Sequence, residues 1–382
     1  MKTIIKLIFS VSLGIIAGLL ASQNLMEVIL AVKQISGQII FFLIPLIIIG
    51  FVAPSIARQK GNVSKTLMLA FGIAYLSSVG AAFFGIGLSN IFVPILNIPT
   101  DGTDGRILPD QLLNLEIPPV MSVITALVLA VCLGIGAIAT DSETVSKLLD
   151  EFQRIVFFLI KNLLMPVLPF YIAANFAALA YQGDIAKLKV FLPVLVIVIL
   201  AHYVWLAILY LIASVYSGKN GWGILKHYLP AYLTALGTMS SAATLGVALD
   251  CAHKSGILDR DTVDFAVPLF ANIHLCGSVL TEVFFVAVTS QILYGTMPSS
   301  GTFALFVLLL GIFAVGAPGV PGGTVLASLG LVISVLGFDD AGTALLIAIF
   351  ALQDSFGTAC NVTGDGALAL IIDTFKKRKE SL

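Results

Sequence analysis

Near its end the chain carries four polar residues, Asp354, Thr358, Asn361 and Asp365, inside a largely apolar segment. Their offsets of four, seven and eleven residues from Asp354 stack them on one side of a helix. A carboxylate facing lipid tails costs about 3 kcal/mol or more, so such groups face a protein interior or an aqueous cavity. Two acids on one stripe suggest a ligand site. The alternative is a pair of structural aspartates, but no basic residue lies within two turns of them in sequence to neutralise the charge.

These residues belong to a chain of 382 residues that is 59% hydrophobic and only 11% charged, with a mean hydropathy of +1.06. That composition is far from the soluble globular norm and reads as an all-α polytopic membrane protein. The net charge of −1 and the absence of any basic run longer than Lys376 to Lys379 exclude a nucleic-acid partner. Cys132, Cys251, Cys276 and Cys360 stand singly, with neither a CxxC pair nor zinc-ligand spacing.

Six apolar segments long enough to cross about 30 Å of hydrocarbon lie near residues 4–21, 27–56, 66–95, 117–140, 154–180 and 188–217. The first resembles a secretory signal but is taken as the first transmembrane helix. The mixed-charge stretch 141–154 reads as a solvated helix start capped by Ser or Asp. Lys2, Lys6, Arg58, Lys60, Lys65, Lys219, Lys226 and the basic C-terminus fall on one side, whereas the third connection, DGTDGRILPDQ, is acidic. By the positive-inside rule both termini are cytoplasmic, in an inner or plasma membrane, with Lys187 and Lys189 as a small counter-signal.

After residue 217 the pattern changes. The stretch from Tyr228 to Leu249 is cut by TMSSAAT, and that from about Thr302 to Phe338 by GAPGVPGG. Half-helices of some 14 residues span about 20 Å and cannot cross the bilayer separately, so each stretch reads as a re-entrant hairpin. Each hairpin precedes a helix with intramembrane polar residues, around NIHLCGS at 272–278 and DSFGTACNVTGD at 354–365. Interrupted segments in corresponding positions of two inverted halves point to the binding site of a secondary transporter.

SSAATL at 240–245, GVPGG at 319–323 and NVTGD at 361–365 resemble the two hairpin tips and the eighth-helix signature of the dicarboxylate/amino acid:cation symporters, the family of the glutamate transporters. The resemblance covers the whole chain. It implies eight transmembrane helices plus two re-entrant hairpins, an elevator mechanism and a homotrimer. It makes residues 1–217 mostly scaffold with some mobile helices, and residues 218–382 the transport core. Position by position, it assigns Asp354 to the substrate ammonium and Asn361 to the main-chain carboxylate. Ser240, Ser241, Ser278, Val320, Gly357 and Thr358 would line the same pocket, and Asp365 with Asn361 would hold a sodium ion.

The sequence departs from the family in two places. Gly357 stands where members with acidic substrates carry arginine, so a second substrate carboxylate lacks its partner. The expectation is therefore a small neutral amino acid, in a pocket enlarged by the missing side chain; an alternative is that His274 supplies the charge for an acidic substrate. In the seventh helix the Asn-Met-Asp-Gly-Thr motif reads HLCGS, with His274 and Cys276 in place of oxygen ligands. A thiol suits sodium poorly, so at least one cation site is expected to be dismantled, and Ser77 and Ser78 do not by themselves make a cage. Glu282 matches the proton carrier of the eukaryotic glutamate transporters, and in a regular helix it shares a face with His274 and Ser278. Glu282 and His274 are thus proton-coupling candidates, the alternative being that they pair as a structural hydrogen bond. His202 reads as a core histidine, and Lys161 as snorkelling to the interface.

No cofactor is expected beyond the coupling ion, sodium or proton; the partners are an amino acid, that cation and membrane lipid. An intramembrane hydrolase is the main rival, but neither HExxH nor GxSxG occurs, and no enzyme activity is expected. A passive channel is less consistent with two gates facing opposite sides.

Overall fold

The computed structural model describes all residues except 1, 58–64, 97–105, 111, 113–116, 184–189, 318–321 and 381–382. The topology signals from Arg58, Lys60, Lys187 and Lys189, and the site residue Val320, lie outside the described residues. Within them every regular element is helical. The N-terminal elements are α1 (Lys2–Leu20), α2 (Gln23–Ala57), α3 (Lys65–Ile95), α4 (Val123–Ala139), α5 (Glu143–Leu159), α6 (Met165–Tyr181) and α7 (Phe191–Ser217). They match the six expected spans, the fifth being α5 and α6 joined through a π-helical turn at Ile160–Leu164. The solvated start of α5 is capped as expected by Ser142, whose Oγ accepts from the Val145 amide at 3.3 Å.

The remaining elements are α8 (Gly221–Leu225), α9 (Leu229–Thr238), α10 (Ser241–Lys254), α11 (Arg260–Ile273), α12 (Cys276–Tyr294), α13 (Ser300–Gly316), α14 (Gly323–Ser334) and α15 (Asp340–Glu380). Helices α9 and α10 turn at Met239, which has a left-handed φ of 52°, and at the extended Ser240. Helices α13 and α14 are separated by residues 317–322, ending at the left-handed Gly322. These are the two hairpins. The span after the first is broken: His274 and Leu275 have extended or irregular backbone between α11 and α12. The span after the second, α15, is continuous.

Among the described residues six stretches are long and apolar enough to cross a membrane: Gln23–Pro54, Lys65–Ile95, Glu143–Tyr181, Phe191–Ser217, Arg260–Tyr294 and Asp340–Arg378. The first and fourth expected spans correspond to the shorter apolar helices Phe9–Leu20 and Thr125–Ala139. The apolar windows of Arg260–Tyr294 and Asp340–Arg378 are 89% and 83% buried, against 33–61% for the other four. The two spans that carry the polar residues are therefore enclosed by protein, which resolves the cost of placing carboxylates at membrane depth.

Packing pairs helices that are distant in the chain. Helix α1 lies on α6, and α2 on α4, α5 and α6; α3 lies on α12 and α13, and α7 on α15. The α1–α6 seam rests on Gly14 and Gly18, where an added Cβ would fall 2.3 Å from the Ala173 carbonyl oxygen and 2.1 Å from that of Ala177. Small residues four apart let two backbones approach this closely. Gly18→Leu is expected to cost about 2–3 kcal/mol by overpacking, read as a melting temperature in detergent lower by about 3–6 °C. An unchanged melting temperature would show that α1 does not depend on this seam. Arg106 secures the end of α1, donating to the carbonyl oxygens of Ala21 at 2.7 Å, Gly18 at 2.8 Å and Leu19 at 3.1 Å. Its guanidinium sits 3.9 Å over the Tyr181 ring, so its charge serves a helix C-terminus.

Candidate functional site

Asp354, Thr358, Asn361 and Asp365 are all buried on α15, with 5%, 5%, 2% and 1% of their surface exposed. The stripe expected from helical periodicity exists, and the N-terminus of α12 lies against it. Helix α12 begins without a side-chain cap, because Leu275 occupies that position. Its free amides are taken from across the structure: Asn361 Oδ1 accepts from the Gly277 amide at 2.7 Å and the Ser278 amide at 3.2 Å. Asn361 Nδ2 donates to Ser278 Oγ at 2.9 Å. One carboxamide thus does what an N-cap residue does locally.

This contact needs glycine at 277 and is close at 357. A Cβ at Gly277 would lie 2.5 Å from Cys360 Cβ and from the Gly357 carbonyl oxygen, and one at Gly357 would lie 3.3 Å from Ser278 Cα. The enlargement of a pocket expected at Gly357 is limited by α12, because the Cβ direction of Gly357 points at the Ser278 backbone. Gly277→Ala is expected to part the two helices and cost about 3 kcal/mol. A lower melting temperature together with lost amino acid binding checks it, and retention of both would contradict the contact.

Asp354 reaches the second hairpin, where its Oδ2 accepts from the Gly322 amide at 2.7 Å. Ser240 stands at the first tip as the N-cap of α10, its Oγ accepting from the Ala243 amide at 3.2 Å, and Ser241 is buried at the start of that helix. Thr238 and Thr244 tie the two arms through hydroxyls 3.0 Å apart.

The break between α11 and α12 redirects His274. Its Nδ1 lies 2.9 Å from Asp365 Oδ1, and its Nε2 lies 2.9 Å from Ser77 Oγ on α3. With Asp365 ionised the carboxylate only accepts, and Nδ1 is then the donor of this pair. Glu282 accepts from Ser328 Oγ of α14, while its second oxygen is buried without a partner. His274 and Glu282 therefore do not pair, nor do they share a helix face, because no regular helix connects them. His274 is also not turned toward Gly357. His202 fits the core reading, with Nε2 3.0 Å from the Gly277 carbonyl oxygen and 2.9 Å from Thr281 Oγ1, fastening α7 to α12.

Among the described residues the buried acids are Glu282, Asp354, Asp365 and Asp373, the buried bases are His202 and His274, and no Lys or Arg is buried. Asp373 is neutralised at the end of α15 by Lys219 at 2.7 Å and Lys377 at 3.3 Å. Sequence reading placed Gly322 in the second tip without its contact to Asp354, and it missed Ser328. Gly322 contributes only its backbone, and Ser328 is one hydroxyl in an apolar run, so neither carries a chemical signature of its own.

A model of the sodium:dicarboxylate symporter family matches residues 4–375. The chain is 28% identical over 257 residues to an excitatory amino acid transporter of Caenorhabditis elegans, covering 65% of this chain and 50% of that protein. It is 25% identical over 258 residues to human excitatory amino acid transporter 1, covering 66% and 47% respectively. With human excitatory amino acid transporter 2 it shares 30% identity over 162 residues, 42% of this chain and 28% of that one. The chain spans about half the length of the curated relatives it matches. With its paired hairpins, its polar stripe on α15 and a family match over nearly all of its length, the chain belongs to the sodium:dicarboxylate symporter family.

Proposed function

We propose that the chain is a secondary active transporter that carries a small neutral amino acid across the membrane together with a cation, sodium or proton. The observation that carries this reading is the charge of the enclosed core. Glu282, Asp354 and Asp365 are buried on α12 and α15 near two broken hairpins, and no Lys or Arg is buried among the described residues. Such a core suits an ammonium and a coupling cation and lacks a fixed charge for a second substrate carboxylate.

In this reading the substrate ammonium displaces the Gly322 amide from Asp354, and its carboxylate is received by Asn361 Nδ2 and the hydroxyls of Ser278 and Thr358. Ser240, Ser241 and Val320 close the pocket from the two tips, and Gly357 leaves it without an arginine. The family resemblance assigns a sodium ion to Asp365 with Asn361, an assignment whose fit is taken up below, and Glu282 and His274 are the proton-coupling candidates. Residues 218–382 move as the transport core with α3 and α7, the helices that pack on it, while α1, α2, α4, α5 and α6 form the scaffold of a homotrimer. Both termini are cytoplasmic, in the inner or plasma membrane, and no enzymatic step is involved.

A second reading, symport of an acidic amino acid with altered ion coupling, is favoured by the relatives' names, which refer to excitatory amino acid transporters. Uptake of a panel of radiolabelled amino acids into proteoliposomes, under separately imposed sodium and proton gradients, distinguishes the two. Accumulation of neutral amino acids supports the first reading. Preferential accumulation of acidic ones overturns it in favour of the second, and equilibration without accumulation under either gradient would indicate a channel.

A further inference from the structure

We propose that His274 stands in for a cation at Asp365, so that this carboxylate binds no sodium ion. The inference deepens the reading of the chain as a cation-coupled carrier by naming an ion that does not use this site. Sodium is a hard cation and is held by several oxygens that are free to turn toward it. The oxygens of the two residues assigned to it are committed elsewhere. Asn361 Oδ1 already accepts from two amides of α12, at 2.7 and 3.2 Å. Asp365 Oδ1 is 2.9 Å from His274 Nδ1. The nearby hydroxyl of Ser77 is 2.9 Å from His274 Nε2, and that of Tyr210 donates to the Thr363 carbonyl oxygen at 2.8 Å.

The groups that surround Asp365 and the imidazole include soft or apolar ones. An added Cβ at Gly364 would lie 3.0 Å from His274 Cε1, 3.4 Å from Cys276 Sγ and 3.4 Å from Leu209 Cδ1, which puts the ring, the thiol and an aliphatic side chain around one point of α15. Phe270 meets the imidazole edge to face with centroids 6.3 Å apart. Asp365 Oδ2 and the hydroxyls of Tyr228, Ser78 and Thr363 are buried without partners, but apart from one carboxylate oxygen these are neutral hydroxyls, and a hard cation is held chiefly by carboxylate and carbonyl oxygens. The imidazole is also held from both sides, since its two nitrogens face α15 and α3. To admit sodium at Oδ1 the ring would have to leave both partners, and it is fully buried, so no water is at hand to replace them.

The test is thermal unfolding of the full-length protein in detergent, titrated with sodium chloride against choline chloride at constant ionic strength. A ligand that binds the folded state raises the melting temperature in a saturable way. The expected result is no saturable, sodium-specific rise in the wild type, and a gain of such a rise, by a few degrees, in the double variant His274→Asn, Cys276→Asp. A sodium-specific rise in the wild type that Asp365→Asn removes would overturn the proposal; a rise that survives Asp365→Asn supports it, because sodium then sits elsewhere. Should the double variant not fold, the comparison of wild type with Asp365→Asn still decides the matter. Calorimetric amino acid binding measured in the same sodium-free buffer separates the two readings. Failure of every amino acid to bind, with or without sodium, sinks the transport reading and leaves the sodium result standing.

Discussion

Asp354→Ala is expected to weaken amino acid binding by on the order of 100-fold while the protein still folds. The carboxylate is 95% enclosed by protein (5% exposed) and has a backbone amide, not a side-chain cation, as its partner in the Gly322 contact of 2.7 Å. An arriving ammonium would form a charge-assisted bond with it at low dielectric, and losing one partner of such a pair costs about 3 kcal/mol. The same deletion frees the second tip, so the variant should also show faster proteolysis near Gly322. Removing the charge alone, by Asp354→Asn, keeps a carbonyl oxygen for the Gly322 amide and should preserve the tip while losing the affinity. Calorimetric titration of a neutral amino acid checks both variants, and an affinity within threefold of the wild type in either would refute the ammonium role of Asp354.

The second large effect is expected at Glu282. Its carboxyl group is fully buried on α12, takes the Ser328 hydroxyl of α14 on one oxygen and leaves the other unpartnered. It therefore joins the helix that borders the substrate site to the returning arm of the second hairpin. An ionised carboxylate with an idle oxygen is costly at this depth, whereas a protonated one is not, so movement of this element can be tied to proton occupancy. Glu282→Gln keeps the shape and the acceptor for Ser328 but carries no exchangeable proton. Amino acid exchange between equal concentrations should survive, whereas accumulation driven by a proton gradient should fall by at least about tenfold, a loss equivalent to about 1.4 kcal/mol of coupling. An unchanged pH profile of uptake in this variant would remove Glu282 from the coupling scheme.

The spans, the two hairpins and the stripe on α15 were readable from the chain because each rests on a local rule. Apolar length identifies a span, a run such as GAPGVPGG breaks a helix, and spacing of four, three and four residues keeps Asp354, Thr358, Asn361 and Asp365 on one face. The break at His274 and Leu275 follows no such rule. The two broken positions are neither glycine nor proline, and Pro268, which does invite a kink, lies inside α11. The interruption is tolerated because Asn361, 84 residues from Gly277, supplies the acceptor that the exposed amides of α12 require. In an uninterrupted helix HLCGS would place His274 and Glu282 on one face, and the break instead sends them to separate partners, Asp365 and Ser328.

Gly357 makes the same point in terms of volume. Without its neighbours a glycine in place of a long side chain means empty space. With α12 present, Ser278 stands 3.3 Å from where a Cβ of Gly357 would be and bounds that space.

From the order of its amino acids alone, then, follow the membrane setting, the all-helical architecture, the broken hairpins and the face on which the acids lie, since these depend on neighbours a few residues apart. The partners of those acids were settled by folding, because His274 meets Asp365 across 91 residues and Ser77 across 197. Contacts of that range arise where helices distant in the chain are forced together and each buried polar atom takes whichever donor or acceptor comes within reach.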